Sequence, residues 1–106
     1  MRLRNSEVEI INSTVKRFLK NTPYNLYLFG SRTDDNKKGG DIDLLLKLES
    51  KSDFEAVYKI KNLLKFDLCY ALGDQRVDLV LTTDERTNAD VFLQSIQEDL
   101  VQLDIN

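Results

Sequence analysis

Three aspartates stand where two apolar segments could carry them to one place. Asp41 and Asp43 lie two residues apart at the start of one apolar segment, and Asp78 lies inside a second. Because side chains alternate across a strand, Asp41 and Asp43 share one face of the first segment and its apolar residues share the other. The same alternation places Asp78 opposite Val77 and Leu79. If the two strands are neighbours, the three carboxylates meet on one side of a sheet.

Such a group of carboxylates predicts a metal site. Two carboxylates about 4 Å apart repel each other by roughly 4 kcal/mol at an effective dielectric constant near 20, so a divalent cation or a shared proton must relieve them. Asp41, Asp43 and Asp78 offer only hard oxygen ligands, which favour Mg²⁺ or Mn²⁺. Magnesium is commonly held by carboxylates together with the phosphates of a substrate. We therefore predict that these residues bind metal and act in catalysis.

A possible phosphate site follows the first strand-like segment, at Gly30, Ser31 and Arg32. Glycine lets the backbone approach a ligand closely, and backbone N–H groups at a turn can hold phosphate oxygens with the help of a serine hydroxyl. A guanidinium can grip phosphate oxygens with two hydrogen bonds. The chain contains no histidine, so any catalytic base must be a carboxylate or water.

Size and charge limit what the chain can do. Its 106 residues suit one domain over residues 1–106. The 18 acidic and 15 basic residues give a net charge of −3, which argues against a broad basic surface for long nucleic acids. Because no apolar run approaches about 20 residues and no signal peptide is apparent, we expect a cytoplasmic protein without a membrane partner. The single cysteine, Cys69, is expected to fill space in the core.

The elements that position these residues alternate between helix and strand. Periodicity and capping signals predict a helix over 6–20, a strand over 25–29 and a second strand that begins at Asp41. A helix from residue 52 or 53 to about Phe66 and a strand over 76–82 follow. The chain then continues with a polar loop over 83–87 and a last helix from Asn88 to Leu103. A helix between two strands makes the strands parallel if they share a sheet. The two aspartate-bearing strands would then present their carboxylates on one face.

The order of Gly30 and Ser31, then Asp41 and Asp43, then Asp78 resembles the nucleotidyltransferase superfamily typified by DNA polymerase beta. More narrowly, it is similar to the minimal nucleotidyltransferases that prokaryotes encode beside HEPN-domain toxins, and the resemblance covers nearly the whole chain. It implies an α+β fold like the polymerase beta palm, in which a small mixed sheet of about three strands packs with three to four helices. One departure is the segment 33–40, where many relatives carry a second arginine and a glycine directly after the Ser-Arg pair.

The same resemblance implies a protein adenylyltransferase that moves AMP from ATP to a hydroxyl group. Asp41, Asp43 and Asp78 would hold two Mg²⁺ ions, with Mn²⁺ as an alternative, and the Gly-Ser-Arg segment would bind the nucleotide. The acceptor would be a tyrosine of a partner HEPN toxin, which would make the chain an antitoxin. Two alternatives remain open. The chain could neutralise its partner by binding alone, or it could transfer a nucleotide to an antibiotic or to the end of a nucleic acid.

Overall fold

The computed structural model describes residues 3–30 and 41–104. Within these ranges the fold is α+β, with four α-helices and four strands. In chain order the elements are α1 (Asn5–Phe18), β1 (Tyr24–Phe29), β2 (Ile42–Leu48), α2 (Lys51–Ala71), β3 (Val77–Thr82), α3 (Asp84–Ala89), α4 (Val91–Ser95), a 3₁₀ turn (Gln97–Asp99) and β4 (Val101–Gln102). Of the helices in the described ranges, none combines the length and the apolar composition needed to cross a membrane.

The strands form one mixed sheet in the order β3-β2-β1-β4. β1 is antiparallel to both β2 and β4, whereas β2 and β3 are parallel. α2 connects β2 to β3, which is the arrangement expected of a helix between two strands of one sheet. The predicted α+β class and the mixed sheet are thus confirmed, with one strand more than the three expected.

One face of the sheet carries the main core. The alternate side chains of β2 on this face, Ile42, Leu44 and Leu46, are fully buried, as the alternation predicts. They pack with buried side chains of α1 and α2, among them Ile11 and Leu64. Each such side chain contributes about 1.5–3 kcal/mol when it leaves water, so this layer holds β2 firmly in place.

The opposite face of the sheet, on which Asp43 lies, is also covered in its middle. Leu45 is only 1 % exposed and packs with Phe29 of β1 and Leu93 of α4. Alternation within β2 did not predict this second cluster, because it depends on where α4 returns to the sheet. The carboxylates are therefore confined to one end of this face.

α2 begins earlier and ends later than predicted. Its N-cap is Ser50, whose hydroxyl accepts a hydrogen bond from the backbone N–H of Asp53 at 3.1 Å. This bond satisfies an N–H group that has no partner within the helix, so residue 50 and not 52 or 53 sets the start. The helix continues past Phe66 to Ala71, because Leu68 extends its buried face against the core.

The segment after β3 differs most from the prediction of a loop over 83–87 and one helix from Asn88 to Leu103. Thr83 caps α3, where the loop was expected. Asp90 adopts an extended backbone and its Oδ1 accepts a hydrogen bond from the N–H of Leu93 at 3.0 Å, so a new helix, α4, begins there. An aspartate cap thus divides what periodicity alone read as a continuous helix.

β4 replaces the end of the predicted last helix. The N–H of Leu103 donates to the carbonyl oxygen of Leu26 at 2.8 Å, and the N–H of Leu26 donates to Oδ1 of Asp104 at 2.8 Å. The side chain of Asn12 in α1 also donates to the carbonyl oxygen of Leu103 at 2.8 Å. These contacts draw the chain into the sheet beside β1.

Candidate active site

Asp43 and Asp78 are direct neighbours on the two parallel strands. The register pairs Asp43 with Asp78, and the N–H of Ile42 donates to the carbonyl oxygen of Arg76 at 3.0 Å. Because paired residues of a parallel ladder point to the same face, both carboxylates lie on one side of the sheet. This confirms the expected adjacency and facing of the two strands. Asp43 is half-buried and Asp78 is exposed.

The carboxylates influence one another electrostatically. Burial raises the pKa of Asp43 above its ordinary value, and the like charges of Asp78 and Asp41 raise it further. Burial and like charges both disfavour the ionised form. A cation placed nearby would therefore favour the ionised form of Asp43.

Asp41 lies immediately before β2 and has a basic neighbour. Its Oδ1 is 3.4 Å from Nε of Arg76, which lies immediately before β3. The arginine side chain is 85 % exposed, so this ion pair is worth about 0–1 kcal/mol at most. The pair draws Asp41 toward the outer strand while it remains close enough to act on Asp43.

The donor set fits a hard divalent cation, since it consists of carboxylate oxygens that repel one another. Across residues 3–30 and 41–104, no three acidic, cysteine or histidine side chains are already gathered around one metal position. The structure thus brings Asp43 and Asp78 together and leaves Asp41 beside them, in an exposed ion pair with Arg76.

Gly30 directly follows β1 and lies against Asp43. Its backbone has φ +79°, which side-chain-bearing residues rarely adopt. A Cβ built on Gly30 would overlap the carboxylate of Asp43 and lie 3.1 Å from its Cγ. The positive φ and the nearness of Asp43 together favour glycine at this position. This packing reason adds to the close approach of phosphates that the sequence suggested. Ser31 and Arg32, the other predicted nucleotide-binding residues, lie outside the described residues, as does the segment 33–40.

A depression of about 310 Å³ opens beside the carboxylates at the edge of the sheet. Its volume is at the lower end of the range for small-molecule sites, roughly 300–1,000 Å³. Its lining combines two acidic and two basic side chains with two less polar ones: Asp41, Asp78, Lys65, Arg76, Cys69 and Val77.

The sequence did not single out two of these residues, Arg76 and Lys65, as functional. Arg76 occupies the position before β3 that Asp41 occupies before β2, and this symmetry was the one signal that could have found it. Lys65 lies on α2, where a lysine ordinarily faces solvent. Cys69 packs partly buried against the main core, in keeping with the predicted space-filling role.

No family model matches the chain, and no curated protein is significantly similar to it. What the chain does must therefore be inferred from its carboxylates, the glycine against them and the strands that hold both.

Proposed function

We propose that the chain is a Mg²⁺-dependent nucleotidyltransferase with the palm-like fold of the polymerase beta superfamily. It transfers AMP from ATP to a tyrosine hydroxyl of a partner HEPN-domain toxin and thereby acts as an antitoxin in the cytoplasm. The observation that carries the proposal is the like-charged pair of Asp43 and Asp78, held in register on parallel strands against a positive-φ glycine. Carboxylates with a perturbed pKa and a like-charged neighbour are enriched at functional sites.

Each residue has a distinct role in this proposal. Asp41, Asp43 and Asp78 would hold Mg²⁺, which when bound neutralises phosphate charge and favours ionisation of the attacking hydroxyl. Asp78 is the exposed member, so it can reach an acceptor that arrives from solvent and take its proton. Arg76 orients Asp41 through their 3.4 Å contact. Gly30 keeps the space beside Asp43 free of a side chain.

The transfer is a substitution at the α-phosphorus of ATP. The acceptor oxygen forms a bond to that phosphorus, the bond to the oxygen bridging toward the β-phosphate breaks, and pyrophosphate leaves. The hydroxyl proton passes to Asp78. Holding nucleotide and acceptor in line lowers the barrier, since positioning and electrostatic stabilisation dominate phosphoryl-type transfer.

The test uses the chain together with the protein encoded beside its gene, ATP labelled at the α-phosphate, and Mg²⁺. We expect label on the partner protein, no label with a chelator, and none with Asp78→Asn. Glu49→Gln is a matched control, because it removes an exposed carboxylate in the turn between β2 and α2 and should leave transfer unchanged. Label transfer by Asp78→Asn at the wild-type rate would refute the assignment. Neutralisation of the partner without labelling would show that the chain acts by binding alone.

A further inference from the structure

The outer face of α2 carries an apolar stripe. Leu63, Phe66 and Tyr70 are 65 %, 68 % and 74 % exposed. Their spacing of i, i+3 and i+7 aligns them on one side of the helix. The other side of α2, with Leu64 and Leu68, is buried in the main core. The helix therefore presents a second apolar face to solvent.

Two other exposed aromatic side chains have ring partners within the chain. Tyr58 stacks on Phe54 with ring centroids 6.0 Å apart, and Phe92 meets Phe29 edge-on at 6.1 Å. The α2 stripe differs from these because its spacing is that of a helix–helix seam. Contiguous exposed apolar surface of this kind marks an interaction site.

We propose that the α2 stripe binds a second copy of this chain. The two α2 helices would pack antiparallel about a two-fold axis near Asn62 and Leu63, so that each copy uses the same surface. This association is independent of the nucleotidyl transfer proposed above.

The charges on this face of α2 are complementary to those of a second copy only when the two helices run in opposite directions. Glu55 and Lys59 are exposed on the N-terminal side of the stripe, about two turns and one turn before Leu63, respectively. Parallel packing would set glutamate against glutamate and lysine against lysine, which is unfavourable. Antiparallel packing about the proposed axis instead brings Glu55 opposite the hydroxyl of Tyr70, and Lys59 opposite the ring of Phe66. The second contact has the chemistry of a cation–π pair.

The exposed area is also of the size that a dimer needs. Aromatic side chains bury about 150–250 Å² each, so the exposed two thirds of Phe66 and Tyr70 amount to about 200–330 Å² per copy, to which Leu63 adds its own exposed area. A standard interface takes about 800 Å² from each partner, of which rather more than half is non-polar. The stripe therefore supplies most of the apolar part, and Glu55, Lys59 and Asn62 supply a polar rim.

Sedimentation velocity of the purified chain from low to high micromolar concentration tests the association. We expect a monomer–dimer equilibrium whose dissociation constant rises by about thirtyfold or more in Phe66→Glu, the effect of losing a central aromatic anchor. Phe92→Glu is the matched control, since it makes the same exchange at an aromatic residue on α4 that is 52 % exposed, and it should leave the dimer intact. Circular dichroism of each variant confirms folding.

A monomer at every concentration would overturn the proposal, as would a dimer that Phe66→Glu leaves unchanged. A monomer that instead binds the protein encoded beside its gene, and loses that binding in Phe66→Glu, would assign the stripe to a different occupant and also overturn it.

Disulfide cross-linking tests the direction in a Cys69→Ser background. Leu63→Cys lies at the proposed axis and should cross-link two copies readily. Tyr70→Cys should not, because antiparallel packing displaces the two copies of residue 70 by fifteen positions, or about 22 Å at 1.5 Å per residue. Equal cross-linking at both positions would rule out the antiparallel arrangement.

Discussion

The substitution Asp43→Asn should stabilise the chain in the absence of metal. It keeps the shape of the side chain and removes its charge, which burial and the neighbouring Asp78 and Asp41 both disfavour. The same substitution should abolish AMP transfer, because it removes a proposed metal ligand. A gain in stability combined with a loss of activity is the pattern expected of a residue kept for function.

The register of β2 and β3 sets the size of the repulsion between Asp43 and Asp78, and with it the expected gain in stability. Neighbouring strands lie about 4.8 Å apart, and two unit charges about 5 Å apart repel by roughly 0.8 kcal/mol in water and roughly 3 kcal/mol at an effective dielectric constant of 20. Asp78 is exposed, so solvent screens much of the repulsion and the lower part of this range applies. We expect a gain of about 1 kcal/mol, which corresponds to about 4–8 °C in melting temperature for a domain of this size.

The pH dependence follows from the direction of the pKa shift. Since the pKa of Asp43 is raised in the folded state, ionising it costs folding free energy at pH values above that pKa. The advantage of Asp43→Asn should therefore be full near neutral pH. It should shrink as the pH falls through the raised pKa and vanish where Asp43 is protonated in both the folded and the unfolded chain.

Thermal melting in chelator, from neutral pH to about pH 3, measures both effects. Glu49→Gln is the control, since it makes the same change in net charge at an exposed turn position. The proposed repulsion between Asp43 and Asp78 is wrong if Asp43→Asn raises the melting temperature no more than this control does. It is also wrong if the higher melting temperature of Asp43→Asn persists in acid.

Three further outcomes are expected. Gly73→Ala should cost about 1 kcal/mol of stability for its positive φ alone, whereas Gly30→Ala should cost about 2 kcal/mol or more because its Cβ also meets Asp43; equal costs by urea unfolding would contradict the packing of Gly30. Mg²⁺ with ATP should stabilise the chain by about 2.7 kcal/mol at a hundredfold excess over Kd, and an equal melting shift in chelator would contradict the carboxylate role. Ser31→Ala should weaken ATP binding about ten- to a hundredfold in calorimetry at an almost unchanged melting temperature, and full affinity would remove this serine from the phosphate site.

The sequence by itself determined the faces of the central strands. Because side chains alternate along a strand, the sequence predicted that Ile42, Leu44, Leu46 and Leu48 share one apolar face, and the structure buries all four. The same rule separated Asp43 from the core residues of β2 and Asp78 from those of β3. A helix between these strands was enough to predict that they are parallel.

The tertiary structure alone decided which residues meet. Local periodicity carries no information about register, so the pairing of Asp43 with Asp78 depends on how α2 and the main core align β2 with β3. The contact of Arg76 with Asp41 and the closeness of Gly30 to Asp43 likewise join residues that are distant in the chain.

The structure of the C-terminal segment was likewise decided by tertiary contacts and not by the local sequence. β4 contains only Val101 and Gln102, too few residues for any periodic signal. It exists because the N–H of Leu103 donates to the carbonyl oxygen of Leu26, a residue far away in the chain, and the N–H of Leu26 donates to Oδ1 of Asp104. The spacing of the apolar residues in the C-terminal segment is compatible with a helix and also with a turn and a short strand. Local propensity left that choice open, and hydrogen bonding to the free edge of β1 decided it, since a sheet edge gains more from backbone partners than a short helix gains from its own.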